Sequence, residues 1–93
     1  MPAKNRTKST FANITQPGTL WRCKSIDNWA MSGNVKYGWQ DGFVVSEGDN
    51  IIVLEVVQVD PAVEKFVVCY SQWQGRQFST QISKMRTLYE KIS

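Results

Sequence analysis

The sequence predicts an all-β fold, a small barrel of five short strands. Three observations carry that prediction. From Thr19 onward, β-branched and aromatic residues gather in short runs. Turn signals at Pro17-Gly18, Glu47-Gly48-Asp49-Asn50 and Gln74-Gly75 punctuate those runs. From Gln77 to Ile82, apolar and polar residues alternate with a period of two. A chain of 93 residues holds one domain at most. Strands this short, linked by tight turns, protect their edges best by closing on themselves.

The elements follow in order. Residues 1–16 read as a flexible, disordered basic arm carrying Lys4, Arg6 and Lys8 and no acid, with Phe11 and Ile14 as its only anchors. Pro17-Gly18 marks the boundary of a barrel domain over residues 17–93. Thr19 to Lys24 is a strand with Leu20, Trp21 and Cys23 as its buriable residues. Ser25 to Asn34 is either a single helical turn capped by Ser25, through Ile26, Trp29 and Ala30, or a long loop. Val35 to Trp39 and Phe43 to Val45 flank Gln40-Asp41-Gly42, which reads as a bulged hairpin turn. Ile51 to Val59 is the longest apolar run. Its Glu55 and Gln58 are three apart, so a strand keeping one apolar face must kink near Val56-Val57. Asp60-Pro61 ends it.

Phe66 to Trp73 and Arg76 to Ile82 form the clearest hairpin, with Phe78, Thr80 and Ile82 inward and Gln77, Ser79 and Gln81 on a wet face. For Ser83 to Ser93 two readings stand. Ile82, Met85, Tyr89 and Ile92 recur at helical spacing, yet a 3₁₀ turn followed by a strand over Thr87 to Ile92 fits as well.

Composition narrows function. The chain is 42% apolar and 20% charged, an ordinary globular mix. No apolar run approaches the roughly 18 residues that span a bilayer, and the polar start shows no secretory signal, so no membrane and a cytoplasmic location are expected. There is no histidine, which removes the commonest general base and zinc ligand. Cys23 and Cys69 make neither a metal site nor a disulfide scaffold by themselves, and both read as buried apolar thiols. No metal, no cofactor and no catalysis are expected. Binding is the default.

The net charge of +3 equals the charge of the arm alone. From Asp41 to Lys65 six acids oppose one lysine, and the end is basic again through Arg76, Lys84, Arg86 and Lys91. That distribution suits a polyanion on one face. Trp39-Gln40-Asp41-Gly42 and Trp73-Gln74-Gly75-Arg76 each set a tryptophan and a glutamine at a hairpin tip. An exposed indole beside Arg76 could stack on a base or fill a partner's pocket; alternatively each ring folds back and seals one mouth of the barrel. Trp21 and Trp29 read as core or loop-packing residues, and Tyr70 as half-buried with its hydroxyl at the rim.

The run Gly48-Asp49-Asn50-Ile51-Ile52-Val53-Leu54-Glu55, the hairpin at Gln74-Gly75 and the final turn and strand resemble an SH3-like barrel over residues 17–93. That resemblance implies a ligand-binding role for the loop holding Trp29. Thr80-Gln81-Ile82-Ser83 with Leu88-Tyr89-Glu90-Lys91-Ile92 is similar to the end of the plasmid-borne type II dihydrofolate reductases, whose pore is lined by Val-Gln-Ile-Tyr. Gln81 and Ile82 match, but Thr80 and Ser83 replace the valine and tyrosine, so the departure falls on the pore itself. In general character the chain resembles small phage proteins that bind host factors. The expectation is a non-catalytic module that binds nucleic acid through Lys4, Arg6, Lys8, Trp73 and Arg76, with Trp29, Trp39 and Gln40 as further contacts. The alternative is a protein-binding module, its partner a host protein.

Overall fold

The computed structural model describes residues 15–38 and 41–93. Lys4, Arg6, Lys8, Phe11, Ile14, Trp39 and Gln40 lie outside the described residues. The all-β expectation holds. Strands β1 (Leu20–Cys23), β2 (Asp27–Ser32), β3 (Gly42–Val45), β4 (Asn50–Val57), β5 (Phe66–Ser71), β6 (Arg76–Gln81) and β7 (Tyr89–Lys91) form one antiparallel sheet. Their order is β3-β2-β6-β5-β4-β1-β7, and the sheet curls into a half-barrel. A short helix, α1 (Ile82–Thr87), precedes β7. The described strands number seven where the sequence predicted five.

The concave face carries the core. Trp21, Cys23, Phe43, Val45, Ile51, Val53, Val67, Cys69, Phe78 and Tyr89 are buried there, and Met85 of α1 plugs it. Phe43 and Phe78 stack with centroids 5.1 Å apart and planes 7° from parallel, a contact worth about 0.5–1.5 kcal/mol beyond the area it buries. The β5–β6 hairpin pairs from Phe66↔Gln81 to Ser71↔Arg76, so its tip is the four residues Gln72 to Gly75. Gly75 closes that tip at φ +64°, a conformation costly for side chains with a Cβ.

Four sequence expectations are corrected. Ser25 to Asn34 is neither a helical turn nor a loop, because Asp27–Ser32 is strand β2. Its register against β3 shifts between Asp27 and Ala30, and that bulge breaks the period-two pattern that would have revealed it. The strand expected from Val35 does not form over its described residues. Val35–Tyr37 is a 3₁₀ turn, capped where Lys36 N donates to Asn34 Oδ1 at 2.9 Å. The partner of β3 is therefore β2. The kink in β4 lies earlier than Val56-Val57, since Val53 pairs with Cys69 and Glu55 with Val68, leaving Leu54 as the extra residue.

The fourth correction concerns the wet face of β6. Ser79 is fully buried because residues 33–37 cross the convex side of the sheet above it. Ser79 Oγ donates to Gly33 O at 2.8 Å and accepts from Val35 N at 2.9 Å. Val35 packs there on Met31, Val57 and Val68, with Phe66 alongside, as a second small core. For Ser83 to Ser93 both sequence readings contribute, since α1 is followed by a closing strand that pairs with β1 through Cys23↔Tyr89 and Arg22↔Glu90.

Candidate functional site

The hairpin tip is held from beneath by a buried carboxylate. Asp49 accepts from Ser71 Oγ at 2.6 Å and from Trp73 N at 3.1 Å. Ser71 Oγ in turn accepts from Gln74 N at 3.1 Å. Gln74 Nε2 reaches across to Val44 O at 2.8 Å, tying the tip to edge strand β3. Trp73 thus has a fixed backbone while its side chain stays exposed, at 62% of its surface. Its indole lies against the β3–β4 turn, where a Cβ on Gly48 would stand 3.1 Å from Cη2.

Arg76 turns the other way. Its Nη2 donates to Ser32 Oγ at 3.3 Å, and the guanidinium lies 5.4 Å from the Phe43 ring centroid. It lines a shallow groove of about 440 Å³ with Ser32, Gly33, Asn34, Tyr37 and Gln77. The Tyr37 ring is 77% exposed. Lys36 Nζ lies 5.4 Å from that ring's centroid and also bonds both carboxylate oxygens of Glu55, at 3.1 and 3.2 Å. Asn34 Nδ2 donates to Glu55 Oε2 at 2.8 Å. These bonds, Asn34's first and Lys36's second, hold the Glu55 carboxyl below its ordinary value.

Trp29 stands on β2 and exposes 84% of its surface, so its reading as a packing residue is corrected. The β2 bulge turns it away from the core that takes Ala30. Trp21 is buried as expected, and Tyr70 is 41% exposed with its hydroxyl near the tip. Sequence reasoning missed Tyr37, which it placed mid-strand. The signal lay in Gly33-Asn34 and Gly38, which bracket a capped turn.

A second polar group lies inside. Asp27, fully buried, accepts from Thr80 Oγ1 at 2.7 Å, Tyr89 OH at 2.9 Å and Lys84 Nζ at 3.1 Å. It fastens α1 to the sheet. Burial, and next the Asp27 charge, push the Cys23 thiol up to about 11 and raise Cys69 and Tyr89 further. Every buried side-chain polar atom among the described residues has a partner. The described residues hold no cluster of three or more His, Cys, Asp or Glu placed to bind a metal ion, and no helix long and apolar enough to cross a membrane.

On the convex face, register aligns Leu20, Ile52, Tyr70 and Gln77 across β1, β4, β5 and β6. Ile92 N bonds to Leu20 O at the end of that row. Ile52, Tyr70 and Ile92 are each more than 40% exposed. Neither a protein-family model, nor a curated protein, nor a solved structure matches this chain.

Proposed function

We propose that this protein is a non-catalytic binding module on an SH3-like barrel, and that its ligand is single-stranded nucleic acid. The fold reading is supported by the β4-β5-β6 meander, by β1 lying between β4 and β7, and by α1 ahead of the last strand. In that reading β2 and β3 are a hairpin inserted after the first strand.

The observation that carries the ligand class is Trp73, an exposed indole on a backbone clamped by Asp49. A ring presented without freedom to collapse is what stacking on an unpaired base requires, and such stacking tolerates any sequence because every base has a π-face. Arg76 and the arm's Lys4, Arg6 and Lys8 would supply the phosphate contacts. The test is fluorescence anisotropy with labelled single- and double-stranded oligonucleotides at low and physiological salt. Binding that weakens as salt rises, with single strands preferred, supports the reading. No binding at low salt ends it, because electrostatic association is strongest there.

One observation favours a protein partner instead. The row of Ile92, Leu20, Ile52 and Tyr70 is an apolar stripe of the kind an interface core buries. Under that reading the Ile52→Lys protein loses its partner in a pull-down while oligonucleotide binding is absent in the unaltered protein.

A further inference from the structure

We propose that the groove between the 3₁₀ turn and β6 is a subsite for one nucleotide of a single strand, with Tyr37 as the stacking platform and Arg76 and Lys36 as its phosphate contacts. The inference rests on the nucleic-acid reading above, shares Arg76 with it and adds the groove that holds Tyr37. The groove's volume of about 440 Å³ lies within the roughly 300–1,000 Å³ of sites that hold small organic ligands.

Its lining has the three chemistries a nucleotide needs. The Tyr37 ring offers an aromatic face, exposed although the turn beneath it is anchored by Val35 in the convex core and by the Asn34 cap. Arg76 offers a guanidinium held by neutral groups, the Ser32 hydroxyl and the Phe43 ring, which give way to an arriving phosphate more readily than a carboxylate would. Beside that lining, Lys36 offers a second cation, its Nζ 5.4 Å from the Tyr37 ring centroid; its Glu55 partner is at the surface, where water screens the pair and exchange for a phosphate costs little. The Gln77 amide lines the same groove, a donor and acceptor for a base edge.

A strand fits better than a duplex. A base inside a duplex is stacked on both faces and leaves none free for Tyr37, whereas an unpaired base offers one. Arg76 joins the two rings. Its backbone pairs with Ser71 at the base of the tip that carries Trp73, while its guanidinium reaches Ser32 at the groove that holds Tyr37. A strand held at both rings would cross the guanidinium between them.

The experiment uses the full chain and a labelled oligothymidylate, with Tyr37→Ala, Tyr37→Phe, Arg76→Ala and Trp73→Ala, each checked by its circular dichroism spectrum. Tyr37→Ala should lower affinity roughly 5- to 150-fold, and Tyr37→Phe, which keeps the ring, should stay within about twofold of the unaltered protein. Arg76→Ala should reduce the slope of log affinity against log salt by about 0.7. Unlabelled thymidine monophosphate should compete far more weakly than the unlabelled strand. Three results overturn the subsite. If the strand binds and Trp73→Ala weakens it while Tyr37→Ala does not, the subsite is wrong and the nucleic-acid reading survives. If the monophosphate competes as well as the strand, the ligand is a free nucleotide. If no oligonucleotide binds at low salt, the reading and the subsite fall together.

Discussion

Trp73 and Tyr37 owe their exposure to polar groups that hold the backbone, Asp49 at Trp73 N and, in the turn that carries Tyr37, Asn34 at Lys36 N and Ser79 at Val35 N. The site's rigidity is therefore tested beneath the rings. Asp49→Ala leaves Ser71 Oγ and Trp73 N without their acceptor inside the fold, and should cost about 1–3 kcal/mol in urea unfolding as well as loosening the tip. Glu55 makes a pH prediction. Its carboxyl titrates below the ordinary 4.5 because Asn34 and Lys36 bond its charged form. Its stabilising contribution is thus complete above about 4.5 and is lost as pH falls through the lower folded value. A carboxyl NMR titration should show that depressed midpoint in the unaltered protein, and Lys36→Met should move it back toward 4.5.

The cysteines behave oppositely. A thiol raised from 9.0 to about 11 at Cys23 favours the neutral form in the fold, so the stability it contributes is present below about pH 9 and declines as pH rises toward 11. Both thiols should ignore a bulky reagent at neutral pH and react on unfolding. Rapid native labelling of either would contradict the burial of both.

At the scale of elements, two junctions decide the shape. The first is α1 on the half-barrel. Lys84 is nearly buried beside the fully buried Asp27, and losing one member of such a pair strands the other charge. Lys84→Ala should destabilise the protein by about 3 kcal/mol in chemical denaturation, more than Arg22→Ala, which breaks only the exposed pair with Glu90. The second is the β3–β4 turn. Gly48 sits at φ +95° under the Trp73 indole. Gly48→Ala should cost about 1–2 kcal/mol from backbone strain alone, and a shifted Trp73 fluorescence maximum would report the displaced ring. These junctions were half legible. Glu47-Gly48-Asp49-Asn50 announces a turn, but nothing local says that Asp49 bonds a residue in the next hairpin.

For the whole molecule, the distribution of charge makes a prediction that separates residues 1–14 from the rest of the chain. Residues 15–93 carry equal numbers of acids and bases, so the excess charge belongs to Lys4, Arg6 and Lys8. Under the nucleic-acid reading, removing residues 1–14 should lower the salt slope of oligonucleotide binding by up to about two units, roughly 0.7 for each phosphate no longer neutralised. A slope unchanged by the deletion would place the phosphate-binding groups within residues 15–93 alone.

The fold class is written locally. β-branched runs, turn residues and the alternation of Phe78 with its neighbours are short-range features, and local sterics select strand and hairpin from them. The burial of Cys23, Cys69 and Trp21 was equally legible, because each sits on the apolar side of a clear strand. The partner of β3, the covering of Ser79 and the grouping of Tyr37 with Arg76 emerge only from the folded chain. β2 was hidden by its bulge and by Asp27, a charge inside a strand that is stable only because Thr80, Lys84 and Tyr89 arrive from residues more than fifty positions away. A pattern of neighbours along the chain records which face a side chain prefers. What meets it there depends on how the sheet curls, and that is settled by contacts between residues far apart in sequence.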